Sequence, residues 1–225
     1  MAVLMTSGGV IPTLGKLASD YSVGESVYLT ENGTNVEYLV VHQGLPSSLY
    51  DSSCDGTWLL RKDLYVTRAF DSSDNEYANS DIHTYLNGTF LGLFNTNVKN
   101  IISQVKIPYT NSGSVVSGSN GMSTKIFLLS AYEAGYESSS NVPADGASLE
   151  YFKSNNNTLR IANYNGTATR WWLRSPQTSN TTYAWGVATT GSRTNISVTA
   201  TNVGVRPVLI LSPDARFDEE TNVIK

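Results

Sequence analysis

A long polar segment near the C-terminal end of the chain lies between two apolar stretches. Residues 178–202 number 25 and include eight Thr, three Ser and three Asn, with Arg193 as the only charge. The apolar stretches on either side, 171–176 and 204–211, predict buried strands. An irregular connection of this length is usually functional or disordered. Four apolar residues within it argue against disorder: Trp185, Val187, Ile196 and Val198. The pattern predicts a rigid frame that presents a polar loop.

Charged residues are scarce in this chain. They make up 15% of the 225 residues, against about 25% in an average globular protein. The net charge is −4 and the sequence has no Lys/Arg cluster, so we expect no nucleic-acid partner. Thr, Ser, Asn and Gly take the place of the charges, which favours a turn-rich and strand-rich protein over a helical one.

The cysteine and histidine residues predict neither a disulfide nor a metal site. Cys54 is the only cysteine, so an internal disulfide is impossible. His42 and His83 do not have the spacing to Cys or carboxylates that is typical of zinc ligands, and a structural role is favoured for both. We therefore expect no metal and no cofactor.

The start of the sequence does not resemble a signal peptide. Met1–Met5 is a short apolar run without a basic region before it or a full hydrophobic region after it. No run approaches the about 18 apolar residues of a membrane span. We expect a protein that is made in the cytoplasm and not inserted into a membrane. Release of virions by cell lysis would carry it outside the cell.

Turn signals divide the chain into a lead-in, one domain and a tail. Glycine and proline interrupt the first part of the sequence, which could attach the domain to a larger assembly. No internal repeat or linker splits the remainder. The predicted boundaries are 1–21 for the lead-in, 22–213 for the domain and 214–225 for the tail.

Local patterns predict an α+β domain with short helices and mostly antiparallel strands. The Asn32–Gly33 pair predicts a β-hairpin between 26–30 and 36–42. Ser80 is a good N-cap for a helix over 81–86. A second short helix has Thr96 or Asn97 as its predicted N-cap. The elements do not alternate as strand–helix–strand, which excludes a parallel α/β fold.

Motifs for catalysis are missing from the sequence. It contains no GK[ST] phosphate loop, no GxSxG and no HExxH. Asp71, Asp74 and Glu76 form a cluster in which a carboxylate pair could serve a hydrolase. An acidic surface turn is the favoured interpretation, because no second catalytic signal accompanies it. We expect that the protein is not an enzyme.

Two groups of motifs can be recognised along the chain. The first group comprises Leu59–Asp63, Arg68–Asp71, Tyr77, Ser80 and Tyr85–Asn87, and the second comprises Phe127–Ser130, Glu133, Trp171–Pro176, Ala184–Trp185, Gly191 and Gly204–Pro207. Together they resemble an uncharacterised domain family of gut Firmicutes and their phages. The closing segment is similar to the C-type-lectin-like fold of formylglycine-generating-enzyme relatives and of variable proteins from diversity-generating retroelements. The resemblance implies a C-type-lectin-like single domain. Cys54 has no partner cysteine near the closing segment, so the oxidase activity is not carried over, and the ligand motifs of calcium lectins are missing.

The retroelement resemblance makes a prediction about codons. Such elements randomise template adenines, so an AAC codon becomes NNC, which cannot encode Lys, Gln, Glu, Met or Trp. Within 178–202 only Trp185 belongs to that set. Thr, Ser and Asn fill 14 of the 25 positions, and their NNC-type codons differ only at the middle base. The alternative is an ordinary polar loop, in which the same residues are common.

The candidate ligand contacts all lie within the loop region 177–202. Tyr183 and Trp185 are large, stiff aromatics with polar tips, and with the neighbouring Thr, Ser and Asn they would form a single surface like an antibody paratope. The predicted ligand-binding residues are Thr178, Ser179, Asn180, Thr181, Thr182, Tyr183, Trp185, Thr189, Thr190, Ser192, Arg193, Thr194, Asn195, Thr199 and Thr201.

Four residues in the flanking strands are predicted to be scaffold. Trp171 and Trp172 are neighbours in a strand, so one should face the core and the other the opposite side. Arg174 and Arg206 are expected to hold backbone carbonyls or a buried carboxylate through the planar guanidinium, rather than to touch ligand.

The sequence therefore predicts a ligand-binding or receptor-binding protein. We expect a phage tail-associated or bacterial surface protein that recognises a protein or glycan receptor on a host cell, with loops diversified by a retroelement. One alternative is a structural module of a phage or cell-surface assembly that has no ligand of its own. A second alternative is a hydrolase that uses the acids between Asp71 and Glu76.

Overall fold

Two five-stranded sheets form the centre of the fold. The computed structural model describes residues 15–137 and 140–224. In this part of the chain the strands are β1 (Lys16–Leu17), β2 (Ser26–Glu31), β3 (Thr34–Gln43), β4 (Thr57–Arg61), β5 (Val66–Thr67), β6 (Val105–Ile107), β7 (Tyr109–Asn111), β8 (Ser114–Val116), β9 (Met122–Thr124), β10 (Ile126–Phe127), β11 (Asn163–Tyr164), β12 (Thr167–Ala168), β13 (Trp171–Pro176), β14 (Tyr183–Val187), β15 (Arg193–Ser197), β16 (Gly204–Val205), β17 (Val208–Leu211) and β18 (Arg216–Phe217).

The helices of the described residues are few and short. Two are α-helices, α1 (Asp81–Tyr85) and α2 (Thr96–Ile101), and a π-helical turn, Leu86–Phe90, follows α1. The 3₁₀ turns are Ala18–Asp20, Ser52–Cys54, Tyr77–Asn79, Leu91–Leu93, Glu150–Phe152 and Asn157–Arg160. With mostly antiparallel strands and short helices, the molecule is an α+β domain, as the sequence predicts.

Side-chain caps fix where both α-helices begin. The Ser80 hydroxyl accepts a hydrogen bond from the backbone N–H of His83, which confirms the predicted cap of α1. The second predicted cap is wrong by one residue. Asn95, rather than Thr96 or Asn97, caps α2, because its side-chain oxygen reaches the N–H of Val98 at 3.0 Å.

The first sheet has the strand order β10–β17–β4–β3–β2, and every pair in it is antiparallel. The predicted hairpin is confirmed: Glu31 pairs with Thr34, and both turn residues have positive φ, 46° at Asn32 and 82° at Gly33. Two positive φ values are what a two-residue hairpin turn requires. Trp58 in β4 is fully buried in the core of this sheet.

The second sheet has the order β15–β14–β13–β16–β5, with β13 and β16 parallel and the other pairs antiparallel. Both tryptophans at the start of β13 are completely buried, so the side of the strand opposite the core is covered as well. β13 is covered on both faces, and each indole N–H finds a carbonyl: Trp171 donates to Arg160 and Trp172 donates to Arg68, both at 2.9 Å.

The polar segment predicted to be one loop contains a β-hairpin. β14 and β15 pair along their whole length, from Tyr183–Ser197 to Val187–Arg193. The apolar points within the segment explain this, because Ala184 and Ile196 face each other on one side of the hairpin while Trp185 and Val187 lie on the other. Thr, Ser and Asn outnumber the apolar residues in this segment, so the alternation of apolar residues that is typical of strands is not evident in the sequence.

The packed unit extends past both predicted domain boundaries. Strand β1, in the predicted lead-in, pairs with β18, in the predicted tail. The N–H of Ala18 donates to the carbonyl of Ala215 at 2.8 Å, and both residues are buried. Residues 15–21 and 214–224 are therefore part of the fold. The first 14 residues of the predicted lead-in lie outside the described residues.

The turn that joins β14 and β15 requires glycine. Gly191 has a φ of +78°, and a Cβ atom there would lie 1.9 Å from the carbonyl oxygen of Asn157. Gly113 has the same φ of +78° but has nothing within 4 Å of that position. The two glycines therefore share the same backbone strain and differ in steric room.

We expect Gly113→Ala to lower the free energy of unfolding by about 1 kcal/mol, through left-handed strain alone. Gly191→Ala should lower it by about 3 kcal/mol, because the turn must also move away from Asn157. Urea unfolding of both variants measures the difference. Equal losses would show that the approach to Asn157 does not constrain the turn.

Candidate functional site

The predicted ligand residues lie at two opposite ends of the β14–β15 hairpin. At one end the N–H of Val198 donates to the carbonyl of Thr182, and at the other the N–H of Ala188 donates to the carbonyl of Ser192. Strands of five residues separate these ends by about 15 Å. The predicted paratope-like surface therefore has members at both ends of the hairpin. Tyr183 belongs to the first end, whereas Thr189, Thr190, Ser192 and Arg193 belong to the second.

Most of the predicted residues are accessible, but Trp185 is not. The exposed members are Thr178, Ser179, Asn180, Thr181, Thr182, Thr189, Thr190, Asn195, Thr199 and Thr201, and the half-buried members are Tyr183, Ser192, Arg193 and Thr194. Trp185 is 8% exposed. Its indole N–H donates to the carbonyl of Asn141 at 2.9 Å, and the Arg193 guanidinium lies 4.1 Å from its ring centre. The prediction that Trp185 contacts ligand is wrong, because its side chain is buried in contact with Asn141 and Arg193.

Arg174 in β13 holds four other segments of the chain together. Its Nε and Nη2 donate to the carbonyl of Pro108 at 3.1 and 3.0 Å, and Nη1 donates to that of Leu128 at 2.8 Å. Both Nη atoms also bond the carboxylate of Glu133, at 2.5 and 2.6 Å, and Nη2 reaches the carbonyl of Asp145 at 2.9 Å. The guanidinium and Glu133 are fully buried, so Arg174 serves as scaffold and faces no ligand surface.

Arg206 also serves as scaffold. Its Nε donates to the carbonyl of Arg61 and its Nη2 to that of Lys62, both at 3.0 Å. These two bonds connect the Gly204–Pro207 motif with the end of β4.

A cleft opens beside the first end of the hairpin, and we call it the polar cleft. It has a volume of about 330 Å³ and is formed by three segments: 74–76, 110–113 and 176–181. Its lining residues are Asp74, Asn75, Glu76, Thr110, Ser112, Gly113, Pro176, Gln177, Thr178 and Thr181. Two of the predicted ligand residues, Thr178 and Thr181, therefore share a cleft with two of the acids that the sequence suggested for a hydrolase.

Asn75 fixes the shape of the loop at the rim of the polar cleft. The residue is buried, and its Nδ2 lies 3.2 Å from the carbonyl of Gln177, 3.1 Å from that of Asn180 and 2.7 Å from that of Tyr183. The N–H of Gln177 closes the loop onto Tyr183 at 3.1 Å. Sequence reasoning missed this residue, because a single Asn between two acids predicts only a turn.

The neighbouring acids form a turn. Asp71 Oδ1 accepts from the backbone N–H groups of Ser73 and Asp74, and Oδ2 accepts from that of Asp81 at 2.9 Å. Burial alone would raise the pKa of Asp71, but these hydrogen bonds and that of the Ser73 hydroxyl lower it. A carboxyl with a lowered pKa is not a general acid at neutral pH. Glu76 Oε1 accepts from the N–H and hydroxyl of Ser112, both at 3.1 Å.

The second end of the hairpin packs against the segment around Tyr136. The Tyr136 hydroxyl donates to the carbonyl of Gly191 at 2.5 Å. A smaller depression there, of about 280 Å³, is bordered by Tyr136, Glu137, Asn155 and Arg193. It is separated from the polar cleft by the length of the hairpin.

In the part of the chain that the structure describes, neither a metal-binding cluster nor a reactive thiol is present. No three His, Cys, Asp or Glu side chains come together there to hold a metal ion. Cys54 is buried, and burial raises the pKa of its thiol to about 12. Among the same residues no helix has the length and apolar character to cross a membrane.

These observations define an α+β domain with a polar cleft at one end of a β-hairpin. The chain belongs to the family described as Domain of unknown function (DUF6273), whose model matches residues 55–213. The matched span contains the polar cleft, Asn75 and the whole hairpin. No curated protein and no solved structure matches the chain.

We expect Asn75→Ala to loosen the loop over 177–183. The change removes the side-chain donor shared by three carbonyls, each of which keeps a backbone N–H donor within the loop, so the free energy of unfolding should fall by about 1 kcal/mol. Amide hydrogen exchange of the same loop should become faster. Asn111→Ala, at an exposed position on the adjacent hairpin, is the control and should change neither quantity. Unchanged exchange in the Asn75 variant would mean that the loop holds its own shape.

Proposed function

We propose that this chain is a non-catalytic binding protein with a C-type-lectin-like fold that recognises a protein or glycan receptor on a host cell surface. The place we propose for it is a phage tail or a bacterial surface, attached to a larger assembly. We further propose that its polar loops are diversified by a retroelement. The polar cleft and the composition of the loops support this function.

The observation that carries the proposal is made at the rim of the polar cleft, where other segments hold the backbone of the loop over 177–183 while side chains of that loop are exposed. The backbone of the rim loop is held from outside by Asn75 and by the carbonyl of Asn141, which accepts from the N–H of Thr178 at 3.2 Å. The side chains of Thr178 and Thr181 are exposed and, among the described residues, their hydroxyls have no hydrogen-bond partner. A fixed backbone with uncommitted side chains lowers the entropy cost of binding.

The burial pattern of the hairpin supports diversification. Trp185, the residue of 178–202 that an NNC codon cannot encode, is buried, and so are the apolar residues Ala184, Val187, Ile196 and Val198. The exposed positions of the segment are Thr, Ser or Asn. Exchange among such residues at exposed positions changes a surface with little effect on stability.

A structural module without a ligand is the second candidate. Its support is the burial of Trp185 together with the hydrogen-bonded closure of the loop between Gln177 and Tyr183. The hydrolase has less support, because Asp71 and Glu76 accept hydrogen bonds that maintain turns.

Binding to cells tests the proposal directly. Labelled full-length chain is incubated with a panel of intact Firmicutes cells and with their purified cell-wall glycans. We expect saturable binding to a subset, and Thr181→Trp, which fills the polar cleft, should weaken it at least about tenfold. Thr190→Trp, at the opposite end of the hairpin, is the matched control and should bind as the parent does.

Absence of saturable binding across the panel would favour the structural module. Loss of binding in the Thr190 variant with none in the Thr181 variant would transfer the site to the other end of the hairpin.

Population sequencing tests diversification. We expect natural variants of the gene to differ at adenine-templated positions within codons 177–202, beside a reverse-transcriptase gene. Exposed positions such as 178, 181 and 190 should vary, whereas the Trp185 codon should not. A uniform 3′ end without that neighbouring gene would refute diversification and leave the binding proposal to the cell assay.

A further inference from the structure

A second cleft lies on a different part of the molecule, and we call it the arginine cleft. It has a volume of about 370 Å³ and is bordered by the start of the first hairpin, by Lys62 and Asp63 after β4, and by the segment 158–163. Arg206 and Tyr151 also form its walls. It shares no lining residue with the polar cleft.

Arg206 brings an unusual charge into this cleft. The residue is 1% exposed. Carbonyls of Arg61 and Lys62 occupy Nε and Nη2, but Nη1 is buried and has no partner among the described residues. No carboxylate of those residues forms an ion pair with Arg206, whereas the Lys62 ammonium is paired with Glu37 at 2.8 Å.

Burial of this guanidinium is energetically unfavourable without an anion. Burial lowers the pKa of Arg206 to about 10, although Tyr151 and Asp63 act against the shift. Its other compensation is the ring of Trp171, whose centre lies 5.0 Å from the guanidinium carbon. A buried cation with a free N–H donor is matched best by a carboxylate oxygen.

The rest of the arginine cleft suits a small organic molecule. Tyr151, Leu159 and Ile161 supply apolar wall, and Ile161 is 37% exposed. The Asp63 side chain is exposed at the rim and has no hydrogen-bond partner among the described residues. An apolar wall with a few polar groups of opposite charge is typical of small-ligand sites of this volume.

We propose that the arginine cleft binds a small carboxylate-bearing molecule, whose carboxylate accepts a hydrogen bond from Arg206 Nη1 and whose amino or hydroxyl group donates to Asp63. Sugar acids and amino acids both carry these groups. The site is independent of the receptor-binding function proposed above, because it uses other residues on another part of the fold.

Titration of the full chain, labelled with ¹⁵N at arginine, tests the site by NMR. Galacturonate and leucine are the two probes, and galactose and leucinamide are their controls without a carboxylate. We expect the side-chain Nε–H signal of Arg206 to shift and saturate with at least one probe and with neither control. The signal is assigned by its loss in Arg206→Lys. Saturation by only one probe identifies the source as a sugar acid or as an amino acid.

Two variants separate the arginine cleft from the polar cleft. Ile161→Trp places a large ring at the mouth of the arginine cleft and should weaken probe binding at least about tenfold, with an unchanged melting temperature in the absence of probe. Thr181→Trp, in the polar cleft, should bind the probes as the parent does. Equal shifts with probes and controls, or no saturable shift with either probe, would overturn the proposal, whatever the result of the cell-binding assay.

Discussion

The buried ion pair between Arg174 and Glu133 is the interaction on which the rest of the structure depends. Burial of two charges costs several kcal/mol each, which is repaid only when the remaining donors and acceptors are satisfied. In this pair they are satisfied. Arg174 also donates to the carbonyls of Pro108, Leu128 and Asp145, while Glu133 accepts from the Tyr50 hydroxyl at 2.7 Å and from the N–H of Ser130 at 2.9 Å. Segments that are distant in sequence are thereby joined to the middle of β13, and the pairing leaves little freedom in how they meet.

The polar cleft follows from that arrangement. Arg174 holds the carbonyl of Pro108, and β7 begins at the next residue, so the hairpin of β7 and β8 is set beside the end of β13. Asp145 continues the network, since its carboxylate accepts from the hydroxyls of Ser175 at 2.7 Å and Thr110 at 3.3 Å. Burial raises the pKa of Asp145 to about 6, against the opposing charge of Arg174. Thr110 lines the polar cleft, so one wall of the candidate site is an outer member of the buried network.

Local signals made the first hairpin, the cap of α1 and strand β13 predictable, because each depends on neighbouring residues. The Asn32–Gly33 turn and the Ser80 cap need no information from the rest of the chain. The hairpin within 178–202 and the buried position of Trp185 were not predictable in the same way. A composition dominated by Thr, Ser and Asn weakens the alternation that would reveal the two strands of the hairpin. The buried position of Trp185 depends on the carbonyl of Asn141 and the guanidinium of Arg193. Asn75 was missed for the same reason, since its partners are about 100 residues away.

The loop over 177–183 is held in part by residues that are distant in sequence. This explains how its backbone can be rigid while its exposed side chains are replaceable. In an ordinary polar loop the side chains of Ser, Thr and Asn fix the backbone by local hydrogen bonds, and a substitution then alters the shape. In the loop over 177–183 some of these local hydrogen bonds are present, because the Asn180 side chain accepts from the N–H and hydroxyl of Thr182. Asn75 and the backbone of Asn141, which lie outside 178–202, hold the loop as well. Thr178 and Thr181 therefore contribute surface without contributing shape, so a change at either position alters what the polar cleft can contact while the cleft itself is preserved.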